Sequence, residues 1–434
     1  MRKMWITALF VAGAVLISAE VSPSWRDINK TARAAIQNKD WAAATAALEK
    51  LIPAMNDYSR LLPQFASAAA FNGQTDKALR ALELYSRMGL VNTADPLSQS
   101  GWSEKQRAEY QRIRQRFDQN AKPVGTPVVA FTLSDAELMP EDIAYDAKTK
   151  TFFLSSTRER KVIAVGPDGS AKDFIKTGQD GLWAAMGLGV DESRRTLWVS
   201  SGATPEVTGY PEADAGKTAL FEYDLDTHAL RNRYDLPPLK DQQQLLGDVA
   251  VMANGDVLAG DAYGMIYRVH PGTPAPEAMT PRDVFVSVQE PAALPDGRNA
   301  LVIDYVLGIG KLNLATKAVT WLPHPDNVAL NGIDGIVVTG HRAIAVQNGT
   351  NPIRISAIDF DDSFSRILGV TVLEQKTPHL TEPTHGVVVG DTYYFIANSE
   401  DSKVDKGGVV KKGEVLEAPV IQKLPLAKLK QHWF

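Results

Sequence analysis

The sequence predicts a mainly β fold, a six-bladed β-propeller, preceded by a small all-α domain. Two observations carry this. Six copies of one strand–turn–strand unit recur between residues 128 and 426, and a helix-forming repeat occupies residues 24–120. Pro123, Gly125 and Pro127 mark the linker between the two textures, over residues 120–128.

The β units begin at Glu141, Met186, Gly247, Glu290, Ile333 and Thr384. Each has an apolar run short enough for a strand buried on both faces, then a turn, then a second strand. Asn254-Gly255, Asp296-Gly297, Gly340 and Gly390-Asp391 supply residues that tolerate tight bends. Six units of this length match one four-stranded blade each around a central channel. The inner strands are expected near 143–146, 188–190, 249–252, 292–294, 335–338 and 386–389. Asp142, Gly187, Asp248, Pro291, Asp334 and His385 align as equivalent positions. A spare strand at 131–133 is expected outermost in the last blade, beside 420–426, where it hides an edge. The second unit is long. Its extra residues, 203–217, fall between the second and third strands and so overhang the mouth where inner strands begin.

In the helical region Ala35/Ala69, Asn38/Asn72, Ala44/Ala78, Ala47/Ala81, Leu48/Leu82 and Glu49/Glu83 coincide at an offset of 34 residues. Small residues at matching places let paired helices approach, and Gly73 suits the turn between them. This resembles two degenerate tetratricopeptide repeats. A capping helix follows over 104–119, with Ser103 as N-cap and Gln106 in capping-box position. Two readings stay open: a groove that docks a protein partner, or an appendage packed on the main domain.

Arg2 and Lys3 precede an apolar run over residues 4–19, the pattern of a secretory signal. Cleavage is expected after Ala19, which implies a periplasmic or secreted protein with no membrane span once the signal is removed. Ile17 is bulky for the −3 position, so an uncleaved anchor is the alternative. With 46 Lys+Arg against 51 Asp+Glu, the net charge of −5 argues against nucleic-acid binding. The chain has no cysteine, which excludes thiol catalysis, disulfides and cysteinyl metal sites.

Residues that precede inner strands converge on the channel mouth. Here they include Glu141, Asp142, Asp248, Glu290, Asp334, Thr384 and His385. Carboxylates brought together repel unless something neutralises them. A divalent cation does so through hard oxygen ligands. Backbone N–H groups of neighbouring blades are the alternative. No HExxH, GxSxG or phosphate loop is present.

The arrangement over about 128–426 resembles the gluconolactonase/senescence-marker-protein superfamily of six-bladed propellers, with paraoxonases as distant relatives. In that superfamily one Ca²⁺ or similar ion sits in the channel and many members open lactones. Glu141, in Glu141-Asp142-Ile143-Ala144-Tyr145-Asp146, matches the first-blade Glu, Asp334-Gly335 the late Asp-Gly ligand, and Asp248 a third-blade Asp near the substrate. The blade-four Asn-Gly ligand is missing: Pro291-Ala292 stands there, beside Glu290. The resemblance implies a divalent cation, Ca²⁺ foremost, on Glu141, Asp248, Asp334 and Glu290. By their place at the mouth, Asp334 or His385 is expected to manage the proton on water, and Asp142, Trp183 and Thr384 to contact a small-molecule substrate. The implied activity is lactone or ester hydrolysis. The alternative is a non-catalytic propeller that binds a ligand or protein, with the helices as docking region.

The leader gives the first test. Intact-mass analysis of exported protein is expected to find Glu20 first; recovery of Met1 in the membrane fraction would support the anchor instead.

Overall fold

The computed structural model describes residues 24–94, 97–210, 212–239 and 243–426. The expected leader at 1–19 lies outside them. Among the described residues no helix is long and apolar enough to cross a membrane.

Six four-stranded antiparallel sheets form the blades. Their inner strands are Pro140–Asp146, Ala184–Asp191, Leu246–Val251, Val288–Ala293, Ile336–Thr339 and Gly386–Val389. Strand side chains alternate between the two faces of a sheet. In blade 1, Phe153, Val162 and Ala164 therefore pack toward blade 2, while Leu154, Ile163 and Val165 pack toward blade 6. The same alternation in every blade builds one apolar cluster at each of the six blade–blade interfaces. Trp198 fills the cluster between blades 2 and 3. The ring closes as the sequence suggests: Val128–Thr132 is the outermost strand of blade 6, paired with Val420–Pro425.

A β-bulge interrupts the start of the inner strand in blades 1 to 4, between Pro140/Ile143, Ala185/Leu188, Leu246/Val249 and Val288/Pro291. A bulge adds an unpaired residue and re-aims the side chain it carries. It corrects the sequence alignment in blade 4. Glu290, not Pro291, is the counterpart of Asp142, Gly187 and Asp248, because Pro291 is the first paired residue after the bulge.

The helices are α1 (Trp25–Gln37), α2 (Trp41–Ala54), α3 (Leu61–Phe71), α4 (Thr75–Arg87) and α5 (Glu104–Asn120). The matched pairs explain themselves. Asn38 and Asn72 are C-caps of α1 and α3, and Ala44/Ala78 and Leu48/Leu82 are buried between helices. Ser103 and Gln106 form the capping box of α5. The helical core does not stop at the helices: it includes buried Leu307 and Ala329, with Val286, Val306 and Trp321 against it. Trp321 ends the outermost strand of blade 4, and the others belong to connections of blades 4 and 5 on the face where inner strands begin. The helical region is thus a roof over one side of the channel mouth. After α5, Val124 bridges to Gln375 and leads the chain from blade 5 to its closing strand.

Close approach of blades at the axis constrains Gly187. A Cβ there would stand 2.5 Å from Asp248 Cα and 2.8 Å from the Gly247 carbonyl oxygen, both backbone. Gly187→Ala is expected to cost about 1–3 kcal/mol in chemical denaturation, as overpacking does. Gly369→Ala, which meets open space, should stay within about 0.5 kcal/mol; equal effects would refute the close-approach account.

Candidate functional site

The bulges bring polar side chains to the axis, and their carboxylates are satisfied to different degrees. Asp142 accepts from Ile143 N at 2.6 Å and from Leu188 N of blade 2 at 2.6 Å. Glu290 accepts in the same way from Ile336 N of blade 5. These two tie one blade to the next. Asp142, expected to touch substrate, is buried with both oxygens on backbone amides, so it acts as a brace. The neighbouring amides are presented by Ser155 and Ser200, whose hydroxyls accept from Asp142 N and Gly187 N.

Asp248 stands at the same place in blade 3, but the blade-4 residue that corresponds to Leu188 is Pro291. Proline has no N–H to offer. The Asp248 carboxylate accepts no backbone amide among the described residues and instead lies 3.2 Å from Nε2 of His385, across the axis. His385 is 1% exposed. Its Nδ1 meets the Glu141 carbonyl oxygen at 2.9 Å and donates to it, since a carbonyl only accepts. Gly335 makes room for it: a Cβ there would be 2.9 Å from the imidazole Cδ2 and 3.0 Å from His385 Cα. Nε2 is buried and has no well-aligned hydrogen bond, the Asp248 contact being close in distance only.

Glu141, Asp334 and His385 bring one ligand atom each within 4.8 Å of one another. Asp334 is oriented by Asn348, whose Nδ2 donates to Oδ2 at 2.5 Å and to the Pro383 carbonyl at 3.1 Å. The Asn348 Oδ1 accepts from the Tyr305 hydroxyl at 2.9 Å. Sequence reasoning did not single out Asn348 or Tyr305. Each follows a second strand, a place that earns notice only once Asp334 is known to face it. Of the four expected ligands, Glu141 and Asp334 fall in the cluster, Asp248 lies beside it, and Glu290 is spent on Ile336. His385, expected to handle protons, joins the cluster.

The electrostatics follow from enclosure. Burial, and then the charge of Asp334, pushes Glu141 well above the usual carboxylate range. Burial likewise raises Glu290 well above it, and lifts Asp142 and Asp334 to about 6 each, in every case against the pull of His385. Burial pulls His385 down, yet the charges of Asp248, Asp142 and Asp334 outweigh it and hold the imidazole well above its ordinary value. Five carboxylates share one imidazole, so ionising them together would leave the ring short of positive charge. That shortfall, with three convergent donors and an unaligned Nε2, fits a divalent cation.

Loops complete the mouth. The blade-2 insertion, described at 203–210 and 212–217, meets the blade-6 connection of residues 397–419. Gly407 N donates to Pro205 O at 2.7 Å, and Arg158 below them donates to Gly408 O at 2.9 Å. Trp183, expected to face substrate, is buried beneath this loop and donates to Asp214 at 3.1 Å, so it anchors the loop. Thr384 is buried next to His385 with its hydroxyl unpaired. A cavity of about 490 Å³ opens between blades 5 and 6, with Tyr305, Asn348, Thr381, Glu382 and Glu400 in its wall.

No protein-family model matches the chain, and no curated protein does. Among solved structures it is similar to a gluconolactonase from Xanthomonas campestris, at 14% identity and a TM-score of 0.44, over 70% of this chain and 99% of that one. It is also similar to a luciferin-regenerating enzyme, at 12% identity and 0.45, over 69% and 95%, and to a streptogramin B lyase, at 14% and 0.43, over 68% and 96%. These likenesses concern architecture, and the chemistry must come from the residues of this chain.

Asp142 and Asp334 have folded pKa values near 6 against an ordinary 3.8. A raised carboxylate favours the fold below its unfolded pKa and loses that contribution as pH rises through the folded value. A raised histidine loses its contribution in the same direction. Calorimetry in chelator should therefore show the melting temperature falling from pH 5 to pH 7.5, and manganese or calcium should flatten the fall. A metal-free midpoint that rises over this window would contradict the ring electrostatics.

Proposed function

We propose that the protein is a metal-assisted hydrolase that opens a lactone or ester at the propeller channel. One divalent cation would be held by Glu141, Asp334 and Nε2 of His385, a mixed oxygen and nitrogen set that suits Mn²⁺ or Zn²⁺ better than the Ca²⁺ expected from the resemblance. The observation that carries this reading is their convergence within 4.8 Å, with Nδ1 of His385 committed to the Glu141 carbonyl so that Nε2 is the free ligand atom. The basic and apolar leader sequence supports a periplasmic or secreted setting.

A cation bound there supplies Lewis acidity toward the carbonyl oxygen. The residues do the rest. Asp248, left free by Pro291 and 3.2 Å from Nε2, is placed to take a proton from water as it attacks the carbonyl carbon. The acyl C–O bond breaks, and the proton passes to the departing alkoxide oxygen. Proton handling thus moves from Asp334 or His385, which hold the ion, to Asp248. The Thr384 hydroxyl, buried and unpaired, is a candidate donor to the substrate, and the cavity beside Asn348 offers it room. Glu290 and Asp142 brace the ring.

The competing reading is a non-catalytic binding propeller with a protein docked on the helices. A groove of about 270 Å³ lined by Ile52, Leu62, Phe65 and Leu84, with Lys77 and Arg80 at its rim, favours it.

Metal titration and lactone turnover separate the two. A folded-state ligand at a hundredfold excess over Kd adds ~2.7 kcal/mol, and Asp334→Asn should remove most of that gain. Asp248→Asn should keep metal binding and lower turnover by about 10²–10⁴-fold, the usual worth of a general base. Chelated protein that melts identically with and without millimolar calcium, manganese or zinc, and turns over no lactone, would leave the binding reading standing.

A further inference from the structure

The segment between α2 and α3 grips the propeller beside Asp334. Asn56 donates to Leu307 O at 2.7 Å, Ser59 to Asn331 Oδ1 at 2.6 Å, and Arg60 to Gly349 O at 2.8 Å. The segments they hold also hold one another: Gly332 N donates to Tyr305 O at 2.7 Å and Gly349 N to Gly332 O at 3.0 Å. Gly349 must be glycine here, since a Cβ would stand 2.4 Å from the Tyr305 hydroxyl and 2.5 Å from Gly332 Cα. Tyr305 is packed into place by this knot, and its hydroxyl donates to Oδ1 of Asn348.

That last hydrogen bond fixes a polarity. Asn348 is an amide with a donor end and an acceptor end. With Tyr305 donating to Oδ1, the Nδ2 end must face Asp334. Turned over, the amide would set its own oxygen against the carboxylate. Burial, and then the charge of Asp334, pushes Tyr305 up to about 12, so the hydroxyl keeps its proton throughout the working range.

We infer that the helical roof positions the candidate metal ligand Asp334, through the relay Arg60–Gly349–Tyr305–Asn348. Asn348 and Tyr305 are positioning residues in this account, and metal affinity depends on how the roof is seated. The inference rests on the proposed role of Asp334 as a ligand. Groups that orient metal ligands typically matter 10–100-fold in affinity.

The experiment is Mn²⁺ calorimetry on the full chain with Tyr305→Phe, which deletes one hydroxyl, and with Arg60→Ala. Arg26→Ala is the control, since Arg26 reaches Phe285 O at 3.5 Å, a roof contact outside the relay. Tyr305→Phe should weaken Mn²⁺ about tenfold or more. Arg60→Ala should weaken it in the same direction, the double variant should fall short of the product of the two factors, and Arg26→Ala should match wild type. Wild-type affinity in Tyr305→Phe, or an equal loss in Arg26→Ala, overturns the relay. If wild type itself binds no Mn²⁺, the metal reading has failed, and the relay is judged in chelator by a Tyr305→Phe/Asp334→Asn cycle on melting temperature. Non-additive shifts then support it, and additive shifts overturn it.

Discussion

Everything at the axis of this propeller follows from one constraint: carboxylates that the blades force together must each find a counterpart out of water. An ionised group buried without a partner is costly enough to neutralise itself or disrupt its surroundings. The chain answers blade by blade. Asp142 and Glu290 are satisfied by amides of the following blade, Asp334 by a side-chain amide, and Asp248 by the imidazole opposite. The same contacts that quiet the charges also lock neighbouring blades together, so site and scaffold are one set of interactions. Pro291 is the exception. By withholding one N–H it leaves Asp248 without the next-blade amide that Asp142 and Glu290 have.

The helical roof belongs to this arrangement physically as well as spatially. Its core is continuous with side chains of blades 4 and 5, and Arg354 crosses the boundary. That guanidinium is 1% exposed and donates only to neutral oxygens: Gln347 Oε1 at 2.8 Å and the Met88 carbonyl at 3.0 Å among them. Burial pulls its pKa down to about 10. A buried charge satisfied by neutral groups tolerates little displacement, since losing an acceptor leaves it uncompensated. The roof is therefore seated by directional polar contacts as well as by apolar surface.

Much of this was legible in the sequence because propeller blades repeat. The apolar runs, Gly-containing turns and recurring acidic positions located the inner strands, the blade-2 insertion and the closing strand. The offset pairs Asn38/Asn72 and Ala44/Ala78 located two helical hairpins. What stayed hidden depends on contacts made across the ring. A bulge leaves no composition signal, so Pro291 aligned where Glu290 belongs. The meeting of Asp248 with His385 joins residues from blades 3 and 6, and neither local pattern foretells it. Trp183 shows why position alone misleads: it sits before an inner strand, as a substrate contact would, yet its indole N–H is committed to Asp214. The docking of the α2–α3 connection beside Tyr305 was equally invisible, because Asn56, Ser59 and Arg60 read as an ordinary polar turn between two helices.

The closing strand has a consequence for how the molecule is made. Val128–Thr132 is synthesised before any blade, yet its partner Val420–Pro425 is almost the last segment of the described chain. Joining ends roughly 290 residues apart carries a loop-closure cost of about 5 kcal/mol by chain statistics. Until then blade 6 presents an unpaired edge, the kind of surface on which chains aggregate. The helical roof and five blades can form earlier from contiguous sequence, but the ring cannot. Translation that stalls before residue 420 would thus yield an open, adhesive arc, and the final few residues of blade 6 act as the clasp that turns it into a sealed and sociable protein.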